Sequence, residues 1–118
     1  LNDLSVTGEI TVGGAGITAA CYNMYSDRRL KTNFSRITEP LAKVNLIGGY
    51  DFTWIKDDRE DVGVIAQEIE AVLPKVVSTR DNGFKRVDYS KIVPLLIEAI
   101  KDVSSKIEDI QEQVNMLK

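Results

Sequence analysis

The 118-residue sequence contains no histidine. Its absence removes the Ser-His-Asp triad, the Cys-His pair and any His-ligated metal from the chemistry this chain can supply. Cys21 is the single cysteine, so no internal disulfide exists and a cross-linked scaffold is excluded. Without a histidine to activate it, Cys21 reads as a small buried residue. No apolar run approaches the ~20 residues that span a bilayer. The first residues also lack the basic, apolar, small-residue order of an export signal. Eighteen acids against 15 bases leave a net charge of −3, which argues against binding a phosphate backbone. Nucleic acid, membrane, metal and cofactor are therefore all absent from the expected partners. What remains, 43% apolar and 28% charged residues, is ordinary for a soluble domain.

Charge is missing locally as well. Residues 1–25 hold no Lys or Arg, only the acids Asp3 and Glu9, and half of the eight glycines. All 15 basic residues fall in 26–118. The chain therefore reads as two pieces that meet between Tyr25 and Ser26. In the first, Leu4-Ser5-Val6-Thr7 and Ile10-Thr11-Val12 alternate as strands do, with Gly8, Gly13, Gly14 and Gly16 as turns. The run Gly13-Gly14-Ala15-Gly16 lacks the context of a phosphate loop. A stub of this length cannot bury a core alone. It is either a domain edge or the last turns of a repetitive β-fibre.

The second piece reads as α+β: a small mixed domain of short strands and helices that ends in a long helix. Thr38 is the expected N-cap of a first helix with Pro40 in its first turn, carrying Leu41, Val44 and Ile47 and ending at Gly48-Gly49. Residues 50–55 alternate aromatic and polar as a strand, with Phe52 toward the core. Residues 56–61 form a charged loop; its acids Asp57, Asp58, Glu60 and Asp61 lack the spacing and glycine of a calcium loop. Residues 62–65 are a short apolar run. A helix over 66–73 stops at Pro74. Val76-Val77 and Phe84–Val87 read as a hairpin about Asp81-Asn82-Gly83. Asp88 and Ser90 are candidate caps for the last helix.

That helix carries the clearest pattern. Val93, Leu96, Ile100, Val103, Ile107, Ile110, Val114 and Leu117 recur alternately three and four residues apart, which places them at a and d of a coiled coil. Beyond Val103 the remaining positions are almost all polar. Before it, Leu95, Ile97 and Ala99 widen the apolar face, so the helix start should pack on its own domain. β-Branched residues at both a and d favour a parallel homotrimer over a dimer. A helix packed within a monomer is the further alternative.

At the composition break stands Ser26-Asp27-Arg28-Arg29-Leu30-Lys31, followed by Asn33. A lysine amine can act as general base where burial or a nearby cation favours its neutral form. Arg28 and Arg29 are candidates for that cation, though a solvated pair is the simpler reading of an isolated Ser and Lys.

This stretch resembles the signature of the peptidase S74 family, the intramolecular chaperone domains at the C-termini of phage tailspikes, tail fibres and neck appendages. Similar domains occur in endosialidase tailspikes and myelin regulatory factors. The resemblance continues through Phe52-Thr53-Trp54, Gly63–Glu70, Leu73-Pro74, Gly83, Val87-Asp88-Tyr89 and Pro94–Ile100. It implies that residues 26–118 trimerise, register an upstream triple β-helix fibre ending at residue 25, and then cut the Tyr25–Ser26 bond. Ser26 would be the nucleophile and Lys31 its base. Asp27 and Asn33 would hold the turn or donate to the oxyanion. Glu68 would support the site or pair with a residue such as Arg86. Phe34 stands where relatives carry an aliphatic residue, which implies a packing change. The implied setting is the host cytoplasm during assembly and the virion tail for the mature fibre. A trimerisation module that is never cut, and the autocleavage domain of a membrane-tethered transcription factor, are the alternatives.

Overall fold

The computed structural model describes residues 3–14 and 16–118. Ala15 of the Gly13–Gly16 run lies outside them. The chain divides into two units, one ending at Phe34 and the other spanning Ser35–Lys118.

The described residues of the first unit are exposed and contain no strand. The expected strands at Leu4–Thr7 and Ile10–Val12 do not form in the single chain. Alternation alone marks a surface that suits a sheet; without a neighbouring strand the ladder bonds have no partner. Cys21 is exposed rather than buried, for the same reason: the stub has no core. The Tyr22 hydroxyl donates to the Ile17 carbonyl at 2.8 Å. Among the unit's described residues the one regular element is a 3-10 turn at Arg28–Leu30.

The second unit is α+β. It runs α1 (Pro40–Val44), β1 (Tyr50–Thr53), β2 (Glu60–Gly63), α2 (Ala66–Val72), β3 (Val77–Thr79), β4 (Lys85–Val87) and α3 (Val93–Met116). Helix α1 begins one residue later than expected. Glu39, not Thr38, is its N-cap, in a left-handed conformation with φ 49°, because Pro40 takes the first helical position and excludes αR from the residue before it. The helix also ends sooner. Leu46 N and Ile47 N donate to the carbonyls of Lys43 and Val44 at 3.1 and 3.2 Å, so the last turn tightens and Ile47 lies outside.

β1 and β2 pair antiparallel, Tyr50 opposite Gly63 and Thr53 opposite Glu60. The expected charged loop over 56–61 is therefore shorter: Glu60 and Asp61 belong to β2. Phe52 is half-buried, and its ring meets Trp54 edge-on at 5.1 Å. β3 and β4 pair antiparallel, Val77 opposite Val87. Val76 is drawn into a 3-10 turn at Pro74–Val76, and Phe84 lies in the hairpin loop. Gly83 turns that loop with φ 84°.

A 3-10 turn at Tyr89–Ile92 leads into α3. Asp88 and Ser90 bond each other, hydroxyl to carboxylate at 2.6 Å, rather than capping α3, whose N-cap is Ile92. Among the described residues the core is Ile69, Val72, Ile92, Leu95 and Ala99. Helix α1 packs on α3, and α2 packs against the β3–β4 hairpin.

Candidate functional site

The junction is shaped by its 3-10 turn. Asp27 is the N-cap, its Oδ1 accepting from Arg29 N at 2.8 Å. Leu30 N and Lys31 N donate to the carbonyls of Asp27 and Arg28 at 3.0 and 3.1 Å. Folding the backbone this tightly brings residues five apart back together. Lys31 Nζ donates to Ser26 Oγ at 2.7 Å. Both residues are exposed, as is Tyr25 on the other side of the junction bond.

The flanking residues hold this turn. Arg29 grips Asp27 at both carboxylate oxygens, at 3.1 and 2.8 Å. Those side-chain bonds, with the Arg29 backbone N–H, hold the Asp27 carboxyl below the usual carboxylate range. Of the two cations beside Lys31, Arg29 is thus neutralised by Asp27. Arg28 lies over the Phe34 ring, 4.9 Å from its centre, a cation–π contact that an aliphatic residue cannot make. Asn33 has φ 55°, a left-handed position that Asn tolerates better than most residues. It bends the chain between Lys31 and Phe34.

Glu68 serves its own unit. Its Oε1 accepts from Gly48 N at 3.0 Å and its Oε2 from the Tyr50 hydroxyl at 2.7 Å. The bond to the carboxylate, then desolvation, raise the Tyr50 pKa. Arg86 Nε donates to Ser78 Oγ at 2.8 Å. A second brace was not read from the sequence: Val64 N donates to the Tyr89 hydroxyl at 3.1 Å. Gly63 leaves room for it, since a Cβ there would sit 2.5 Å from that oxygen. Gly63 and Tyr89 both fall in the motif stretches, which was their only signal.

Helix α3 carries two apolar stripes. Leu95 and Ala99, continuing from Ile92, are buried in the domain. All eight a and d residues from Val93 to Leu117 are exposed. In the heptad frame the buried set occupies c and g, so the domain covers one flank of the helix, on the d side, and leaves the seam bare. Ile97 does not join the packed face. It is exposed, because two residues along a helix turns the side chain about 200° from Leu95. Among the described residues no helix is long and apolar enough to cross a membrane.

Residues 26–78 match the family described as "Chaperone of endosialidase", Peptidase_S74. This segment belongs to the chaperone-of-endosialidase family. Its match begins at Ser26, the residue that the 3-10 turn brings to Lys31. The chain is also similar to "Long tail fiber protein Gp37" of Salmonella phage S16, 34% identical over 117 residues, covering 90% of this chain and 16% of that protein. The proteins of the same name from Enterobacteria phages K3 and T2 are each 30% identical over 103 residues, covering 78% of this chain and 8% of theirs. The chaperone-of-endosialidase segment thus lies in a chain that spans less than a fifth of the length of the curated relatives it matches.

Proposed function

We propose that this chain is the assembly end of a phage tail fibre: a trimerising intramolecular chaperone that releases itself by cutting Tyr25–Ser26. The observation that carries the reading is the 2.7 Å contact between Lys31 Nζ and Ser26 Oγ, made within one chain beside that bond. Neutral Lys31 takes the hydroxyl proton as Ser26 Oγ attacks the Tyr25 carbonyl carbon. The proton passes to the departing Ser26 nitrogen, and the acyl group shifts from N to O. Water then hydrolyses the ester, giving a Tyr25 carboxylate and a free Ser26 amine. Asp27 and Asn33 position the turn. Glu68 holds the Gly48–Tyr50 segment of its own unit. The reaction is single-turnover because the product no longer holds its substrate.

Enclosure from water favours the neutral amine a base needs, and both groups are exposed in the single chain. Assembly is then the event that encloses them and licenses cutting.

The bare a and d seam of α3 supports the trimer. Short repetitive strands specify register weakly. Joining three C-termini in a coiled coil raises their local concentration to about the millimolar range and sets a common start for winding. Removing the helper leaves a fibre whose unfolding is kinetically hindered. The setting is the host cytoplasm during assembly and the virion tail afterwards. Similarity to tail fibre proteins supports a fibre rather than a transcription factor as the client.

Ser26→Ala and Lys31→Ala, compared with wild type on a denaturing gel and by mass spectrometry, test this. Wild type should yield a new N-terminus at Ser26, and both variants should remain whole. Cutting of Lys31→Ala at the wild-type rate refutes the dyad. A wild-type fibre that stays whole favours the second reading, an uncut trimerisation module, for which the exposure of the pair already speaks.

A further inference from the structure

The loop between β1 and β2 is tied by its own hydrogen bonds and presents an uncovered isoleucine. Trp54 N donates to the Arg59 carbonyl and Asp58 N to the Trp54 carbonyl, both at 2.9 Å. The Arg59 guanidinium lies over the Trp54 ring at 5.6 Å, and the indole N–H donates to Asp61 at 3.0 Å. Asp58 takes the left-handed conformation that turns the tip, with φ 57°. Held this way, Ile55 is 99% exposed. From Lys56 to Asp61, across the loop and the first two residues of β2, four acids stand against two bases. A mobile loop can hide an apolar side chain by rearranging. One tied by this many bonds cannot, so its exposed isoleucine is already set for contact.

A hollow of complementary character lies elsewhere in the same unit. It has a volume of about 370 Å³ beside the β3–β4 hairpin. Val76, Val77 and Val87 form its apolar lining, and Lys75, Arg86 and Lys91 its basic one. Asp88 is the one acid there and is already engaged by Ser90 and Lys91. The lining therefore carries three basic residues against one acid.

We infer that the Ile55 tip of one protomer docks in this hollow on a second copy of the chain. The inference rests on the trimer proposed above. In a cyclic trimer each contact is heterologous: one patch meets a different patch on the next chain. Such a ring needs two complementary surfaces on every protomer. An isoleucine knob with the acids Asp57, Asp58, Glu60 and Asp61 beside it, and a basic hollow with three valines in its lining, are such a pair. The contact would secure the domains around the coiled coil and fix their rotational order. Charge would also make the docking sensitive to salt.

The test uses the full 118-residue chain with Ser26→Ala, so that it stays whole. The trimer dissociation constant is measured by sedimentation equilibrium. Ile55→Asp should weaken the trimer at least tenfold without loss of helix by circular dichroism, because Ile55 packs on nothing in its own chain. Asp57→Lys with Asp58→Lys, and separately Lys75→Glu with Lys91→Glu, should each weaken it comparably. Combining the two reversals should recover most of the loss. A wild-type trimer that these variants leave unchanged, or reversals that fail to compensate, overturns the docking and leaves the coiled coil standing. A wild-type chain that stays monomeric overturns the trimer itself.

Discussion

Two alanine substitutions on α3 should fail in different ways. Leu95 is fully buried in the domain, whereas Ile107 is 61% exposed on the bare seam. Leu95→Ala opens a cavity in the monomer's own core, at a cost of about 3 kcal/mol. In a unit of this size that lowers the melting temperature by about 12–24 °C, at every protein concentration. Ile107→Ala removes three carbons, each worth about 0.8 kcal/mol when buried. Counting only the share of the side chain left for a partner to cover, the loss is about 1.5 kcal/mol per chain. Over three chains it is roughly 4 kcal/mol, or about a thousandfold in the association constant. Thermal unfolding followed by circular dichroism from low to high micromolar chain concentration separates the two. The Leu95→Ala deficit should be the same throughout. The Ile107→Ala deficit should vanish in the dilute, monomeric limit. An Ile107→Ala protein that associates like wild type refutes the seam. A Leu95→Ala deficit that appears only when chains associate refutes the division of labour between the stripes.

Gly63→Ala places a Cβ 2.5 Å from the Tyr89 hydroxyl and 3.2 Å from Phe52. It should cost about 1–3 kcal/mol in urea unfolding, while Gly49→Ala, whose Cβ meets nothing within 4 Å, should be neutral or slightly stabilising. Asn33→Gly should keep the junction turn, and Asn33→Val should cost about 1–2 kcal/mol of local order through its left-handed backbone, read as loss of the Lys31–Ser26 contact by NMR. Tyr50 is raised by its bond to Glu68, so the stability this pair contributes is whole below the unfolded tyrosine value of about 10. It is lost as pH rises through the higher folded value. Glu68→Gln should lower the Tyr50 midpoint in an ultraviolet titration.

Periodicity was the most legible layer. The heptads of α3 extend over enough residues for the helix to be plain from spacing alone, and Asn82-Gly83 marked a hairpin. Local signals misled where a neighbour outweighed them. Thr38 is a good cap by type, but Pro40 moves the helix start to Glu39. Glu60 and Asp61 read as loop by charge, yet cross-strand pairing with Thr53 and Phe52 makes them strand. The stub alternates like a sheet, but a ladder is a property of two strands. At the junction, Ser26 and Lys31 could be named from the motif, and the 3-10 turn that joins them follows from Asp27 as cap. The Arg28–Phe34 stack and the Tyr89–Gly63 brace could not be found this way, since each depends on where a ring comes to rest.

The small core has a genetic corollary. Among the described residues five form the core, which is little for a unit of this size; in the proposed trimer much of the stability would come from partner chains. In the proposed trimer, a defect in one chain is then inherited by the two it joins. If half the chains in a cell carried a seam mutation and mixed freely, about one assembly in eight would contain only sound copies. Seam variants should therefore be dominant in mixed infections. Variants confined to Ser26 should be milder if each chain cuts its own bond, because a spoiled copy then leaves its neighbours free to release.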